Sequence, residues 1–131
     1  MEKRYSDFLS ALKGIVQSDR IYTDSLRTFA WGTDASFYRF VPKIVIRSRD
    51  EEEMSSILKE ASRFGVPVTF RAAGTALSGQ SVTDSVLVVA GKNWEGMKIG
   101  PGAETVSLQP GLVGGQVNAK LSGYGRKLGS D

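Results

Sequence analysis

Apolar residues fall at Tyr5, Phe8, Leu9, Leu12, Ile15 and Val16, intervals of three and four that make one stripe on a helix. The spacing predicts an amphipathic packing helix over residues 5–16, weakened near its end by Gly14. Residues 20–40 keep no period. They are dense in aromatics, with Phe29, Trp31, Phe37, Tyr38 and Phe40, and are expected to lie across the domain surface. Burial of those rings in a core or an interface is preferred over stacking on a ligand. The run Ile44-Val45-Ile46 predicts a strand over 43–47, opened by Pro42, whose missing N–H is tolerated at a strand start. Met54, Ile57, Leu58, Ala61 and Phe64 form the buried stripe of a second helix. Ser48 and Glu51 read as its capping box. Asp50, Glu51, Glu52 and Glu53 load its first turn with charge that suits the positive end of the helix dipole, which explains the acidic run better than a metal site does. Gly65 ends the helix and Pro67 prevents its resumption. Two further apolar runs, Val66–Phe70 and Val86–Val89, read as buried strands.

The order from 43 to 89 is therefore strand, helix, strand, loop, strand. Strands joined by a helical crossover should be parallel and right-handed. In open α/β sheets ligands bind beyond the C-terminal ends of the strands. The stretch leaving that end of the second strand is Arg71-Ala72-Ala73-Gly74-Thr75-Ala76-Leu77-Ser78-Gly79-Gln80-Ser81. Its glycines permit backbone angles closed to other residues. Successive N–H groups in such a bend can form a nest for an anion. Thr75, Ser78, Ser81 and Gln80 add side-chain donors, and Arg71 a positive charge. A plain surface turn is the alternative. Gly74 and Gly79 have the glycine interval of a P-loop, but Gln80-Ser81 stands where Lys-Ser/Thr is required, and the dinucleotide spacing G-x-G-x-x-G is absent. Further on, Met97–Ile99 reads as a short strand and Thr105–Gln109 as a half-buried one, ended by Pro110-Gly111. Residues 115–121 predict a short helix with Val113, Val117 and Leu121 on one side.

The loop RAAGTALSGQS resembles the diphosphate-binding loop of FAD-linked oxidases of the vanillyl-alcohol oxidase type, and most of all the branch of D-lactate dehydrogenases and the glycolate oxidase FAD subunit. Its flanks are similar too: Tyr22-Thr23-Asp24, Gly32-Thr33-Asp34-Ala35-Ser36-Phe37-Tyr38-Arg39 and Val41–Val45 before it, Val106–Leu112 and Val117–Leu121 after it. The resemblance implies an α+β fold, the N-terminal part of a PCMH-type FAD-binding domain. A small parallel sheet flanked by helices would lead into the start of a second sheet. Residues 1–40 would form an N-terminal helix and irregular segment, and 41–131 the N-terminal portion of the FAD-binding domain of a longer protein. It further implies a flavin enzyme that oxidises a 2-hydroxy acid such as D-lactate or glycolate. The hydroxy-acid substrate and an electron acceptor would be engaged by other domains, in some members through iron–sulfur clusters. The implied cofactor contacts are the backbone of Ala72, Ala73, Gly74, Thr75, Ala76, Leu77, Ser78 and Gly79, side chains of Thr75, Ser78 and Gln80, Arg71 in support, Pro42, and Pro110 with Gly111 beside the adenosine half. For Pro110-Gly111 a simple strand-end turn is the alternative.

Composition narrows this picture. The chain has neither cysteine nor histidine, which excludes disulfides, thiolate metal sites and iron–sulfur ligands within it. The absence of histidine also removes the commonest general base. FAD would be held non-covalently. No catalytic residue is assigned: Asp24, Asp34 and Asp84 are better read as turn or cap residues. The net charge of +3 is spread along the chain, with no basic cluster of the kind nucleic acid requires. No apolar run approaches the length of a membrane span. The amphipathic stretch after Met1-Glu2-Lys3-Arg4 is unlike a signal peptide, and the expected compartment is the cytoplasm. Two other functions fit the same residues: a flavin-free interaction or regulatory module that keeps the fold, and a small nucleotide-binding protein that uses the loop for another ligand.

Overall fold

The structure is a computed structural model and describes residues 1–129; Ser130 and Asp131, at the end of the terminal stretch, lie outside the described residues. Helix α1 spans Lys3–Leu12 and α2 spans Ser25–Ala30. Strand β1 is Ile21–Tyr22 and β2 is Ile44–Ser48. Helix α3 spans Glu51–Phe64. Strands β3 (Val68–Arg71), β4 (Val86–Ala90), β5 (Met97–Ile99) and β6 (Val106–Leu108) precede α4 (Gly114–Leu121).

Strands β1, β2, β4 and β3 form one sheet in that order, and β5 and β6 form a separate antiparallel pair. Both β2 and β3 run parallel to β4, with Ile44↔Val86↔Val68 in register at one end and Arg47↔Val89↔Arg71 at the other. The crossover through α3 thus joins parallel strands, but β4 has been inserted between them. All five residues of β4 are buried, as a central parallel strand requires.

The alternating faces of the sheet carry two clusters. Ile44, Ile46, Val86 and Val88 meet Tyr5, Phe8 and Leu12 of α1 and Ile57 and Ala61 of α3. Val45, Leu87 and Val89 meet Tyr22, with Trp31 against them. The first forty residues therefore cover both faces of strands that come later in the chain. The helical stripe is as predicted, though α1 closes at Leu12 and Val16 is buried from beyond a turn.

Several expectations need correction. Strand β3 is an edge strand, not a buried one: Phe70 is 53% exposed. Of the aromatics in 20–40, Tyr22 is buried with Trp31 against its cluster, but the other four are not in the core. Phe37 is fully exposed, and Phe29, Tyr38 and Phe40 are each more than half exposed. Leu58 lies on the outer side of α3, in a hollow of ≈ 590 Å³ with Met54 and Trp94. Leu108 and Val113 are also exposed.

The capping box is displaced by two residues. Ser48 is the last residue of β2 and uses its hydroxyl on the Val89 carbonyl, 2.7 Å away. Asp50 is the cap, accepting from the Glu53 N–H, while Glu53 accepts from the Arg49 N–H at 2.9 Å. Glu53 is therefore more than an exposed helix-start charge. Its side chain is 1% exposed and takes two hydrogen bonds from Arg20, at 2.5 and 2.7 Å. Burial pushes the Glu53 carboxyl up, but Arg20 and the Arg49 N–H more than offset this and hold it below the ordinary carboxylate range. Arg20 also donates to the Arg47 carbonyl. One guanidinium thus fastens the segment before β1 to the end of β2 and the start of α3.

Candidate functional site

The C-terminal rim of the parallel sheet gathers three pieces of chain. Residues 72–85 leave β3 at Arg71 and travel back to the start of β4. Gly91–Trp94 leave β4. Pro110-Gly111, beyond β6, folds against that second piece: the Gly111 N–H donates to the Trp94 carbonyl at 2.7 Å. A Cβ on Gly111 would stand 2.2 Å from the Gly91 carbonyl and 2.6 Å from that of Trp94. The close approach that calls for glycine here is to the chain itself. Trp94 completes the rim by donating its indole N–H to the Ser48 carbonyl and hydroxyl.

The glycine loop sits on a strap made by residues 32–40. The strap is closed by an antiparallel bridge between Thr33 and Arg39 and by Phe40 N–H to Gly32 carbonyl at 3.2 Å. Four contacts join strap and loop. Arg71 donates to the Thr33 carbonyl at 2.5 Å. The Ala35 N–H donates to the Gly74 carbonyl at 3.1 Å. The Ser81 hydroxyl donates to Asp34 at 3.0 Å. The Tyr38 ring lies where a Cβ on Gly79 would come within 3.0 Å of it.

Both loop glycines hold positive φ, +72° at Gly74 and +80° at Gly79, a region costly for side chains. Neither leaves an opening on its Cβ side. At Gly74 that space is filled by the Arg71 guanidinium, whose nearest nitrogen would be 2.3 Å from a Cβ. Arg71 is thus turned under the loop, with its charge 5.2 Å from the Trp31 ring centroid. Burial pushes its pKa below the ordinary arginine value, and Asp34 opposes this. The guanidinium stays protonated. Its Nε is buried without a partner among the described residues.

The open side of the loop is its amide side. Among the described residues, the N–H groups of 73–77 have no hydrogen-bond acceptor, while Ser78 N–H is taken by the Gln80 side chain at 3.2 Å. Ala73, Thr75 and Leu77 are exposed. A row of unpartnered amides beside a partly buried cation, at the C-terminal end of a parallel strand, fits a diphosphate by charge and by hydrogen-bonding need. The hydroxyls of Thr75 and Ser78 are exposed beside it. Gln80 is occupied inside the loop. Pro42 is buried at the opposite rim, where Lys43 bonds the carbonyls of Ser85 and Asp84. It lines a groove of ≈ 440 Å³ with Phe29 and Thr28. The rim therefore unites Arg71, the loop and Gly111, and leaves Pro42 apart.

A family model described as FAD binding domain matches residues 42–131. The chain belongs to this FAD-binding family. FAD is accordingly its cofactor, and the loop lies within the matched FAD-binding segment. The chain is 30% identical over 125 residues to D-2-hydroxyglutarate dehydrogenase of Pseudomonas putida, covering 92% of this chain and 12% of that protein. It is 35% identical over 79 residues to glycolate oxidase subunit GlcD of Escherichia coli, covering 59% and 16% respectively. It thus spans 12% to 16% of the length of these relatives. Among solved structures, alkyldihydroxyacetonephosphate synthase superposes with a TM-score of 0.77 at 18% identity, covering 98% of this chain and 28% of that one. The p-cresol methylhydroxylase structure with substrate bound superposes at 0.69 and 12% identity, covering 95% and 26%. These matches show the α+β fold of the N-terminal part of a PCMH-type FAD-binding domain, as the resemblance implied.

Asp24 and Asp34 act as the cap and turn residues expected. Asp24 caps α2 through the Arg27 N–H. Asp34 accepts from the N–H and the hydroxyl of Ser36, and the hydroxyl first of all holds its carboxyl below the ordinary range. Nothing in the local sequence around Asp34 connects it with the loop. The pattern Asp34-x-Ser36 signals a local turn, but the bond to Ser81 spans 47 residues and is visible only in the fold.

Proposed function

We propose that this chain is the segment of a FAD-dependent oxidoreductase that holds the diphosphate and adenosine of FAD, and that the whole enzyme oxidises a 2-hydroxy acid. The row of free amides at residues 73–77 carries this reading. Those N–H groups, with that of Gly79, would donate to the phosphate oxygens. Thr75 and Ser78 would add hydroxyl donors, and Arg71 would supply positive charge from beneath. Pro110 and Gly111 would border the adenosine, as a rigid corner tied to the Trp94 carbonyl. Pro42, at the opposite rim, is at most a contact for another part of the cofactor.

When bound, FAD supplies the two-electron acceptor that no side chain of this segment can replace. Support for a 2-hydroxy-acid substrate comes from the names of the two curated relatives. The electron acceptor, and iron–sulfur clusters where an enzyme of this kind has them, would be engaged by other parts of the polypeptide. We place the enzyme in the cytoplasm on the sequence reading. Among the described residues, no helix is long and apolar enough to cross a membrane.

The test is flavin content of the full polypeptide and of its Gly74→Val variant. A β-branched residue at φ +72° is a backbone outlier, and its Cβ would displace Arg71. The variant should fold and purify colourless, whereas the native protein should carry FAD. Stoichiometric flavin in Gly74→Val would contradict the loop assignment. A native full-length protein that takes up no FAD would defeat the oxidoreductase reading.

A further inference from the structure

Asp34 ties the strap to the far end of the glycine loop. Its Oδ1 accepts from the Ser36 N–H at 2.8 Å and from the Ser36 hydroxyl, which ties it to its own strap. Its Oδ2 accepts from the Ser81 hydroxyl at 3.0 Å, and Ser81 is 7% exposed. Next to it on the strap, the Thr33 carbonyl accepts from the partly buried Arg71 guanidinium, which is packed under Gly74. Arg71 and Ser81 are the two ends of the glycine loop. Two neighbouring positions on the strap therefore hold both, Asp34 through Ser81 and Thr33 through Arg71.

We propose that Asp34 is a positioning residue for the cofactor: it fixes Ser81 at the far end of the glycine loop, while the adjacent Thr33 carbonyl holds Arg71 at the near end, so that the amides of 73–77 are presented to a diphosphate. This rests on the diphosphate reading of the loop. The physical ground is preorganisation. A loop of small residues is free to adopt many conformations, and every amide that must be ordered on binding subtracts from affinity. Anchoring the two ends, and not the middle, orders the bend while leaving the central N–H groups unpartnered. Asp34 itself makes no contact with the ligand in this scheme. Tyr38 against Gly79 and Ala35 on the Gly74 carbonyl are secondary ties from the same strap.

The experiment uses the full polypeptide stripped of flavin, titrated with FAD by fluorescence quenching, with ADP and adenosine as competitors. Asp34→Asn keeps the shape of the side chain and removes its charge. It should weaken FAD and ADP binding about tenfold each, the scale of one charge-assisted hydrogen bond, and leave adenosine unchanged. Ser81→Ala should weaken FAD and ADP in the same direction. The double variant should lose less than the sum of the two single losses, since both substitutions act on the same Asp34–Ser81 contact. Should Asp34→Asn fail to fold, Ser81→Ala carries the ADP–adenosine comparison alone.

Equal losses for ADP and adenosine would mean a general structural role and overturn the proposal. So would unchanged FAD binding in Asp34→Asn when Gly74→Val has lost it. If Gly74→Val also binds FAD normally, the diphosphate reading itself has failed, and this proposal falls with it.

Discussion

Replacing Arg20 with methionine would leave the Glu53 carboxylate in place without its cation. Methionine keeps much of the apolar stem, so the change isolates the charge. The carboxylate would retain one hydrogen bond, from the Arg49 N–H at 2.9 Å, in a side chain 1% exposed. Removing one member of a buried pair costs about 3–5 kcal/mol, because a desolvated charge is left behind. Loss of the bond to the Arg47 carbonyl is included, a pH-independent share of about 1 kcal/mol.

The pH dependence follows from the direction of each shift. In the native protein Glu53 is held below its unfolded value of about 4.3. Its contribution is then complete above that value and fades as pH falls through the native pKa. In Arg20→Met, desolvation dominates and the folded pKa rises above the unfolded one. The penalty is full above that raised value and fades as pH falls toward about 4.3. The two stability curves should therefore converge in acid. Urea denaturation, followed by the fluorescence of Trp31 and Trp94, measures this at pH 8 and at pH 4, below the unfolded carboxyl's pKa. A loss at pH 8 below about 1 kcal/mol would place the pair among exposed ones and refute the argument. So would a loss that is the same at both pH values.

Two further substitutions test the packing that positions the site. Gly111→Ala should destabilise by about 1–3 kcal/mol, the cost of overpacking, because both atoms its Cβ would meet are backbone carbonyl oxygens; a urea midpoint equal to the native one would show that the rim gives way freely. Phe8→Ala should cost about 3–5 kcal/mol, since Phe8 is fully buried between α1, α3 and the sheet; a loss under about 1 kcal/mol would mean that α1 is dispensable to the core.

Local chemistry made much of this protein legible from its residues alone. Helical stripes, the Gly65 stop, the apolar runs of three strands and the glycine loop are each written in a short run of sequence, because periodicity and turn chemistry act over a few residues. The resemblance of RAAGTALSGQS and its flanks to FAD-linked oxidases likewise required only the order of residues. What the fold decided is pairing across long separations. Which strand lies in the middle determined that Val66–Phe70 would be an edge and Val86–Ala90 the core. The start of α3 shifted because Ser48 was claimed by Val89 and Trp94, partners more than forty residues away. Glu53 was one acidic residue among four until Arg20 met it. The glycine loop itself shows the division most plainly: its two glycines are visible in the sequence, but the reasons for them, Arg71 folded beneath one and Tyr38 laid against the other, arise only when a strap from residues 32–40 is brought under it. Hydrogen bonds and burial depend on where atoms are in space, and for this site the atoms that matter come from two short segments about forty residues apart in the chain.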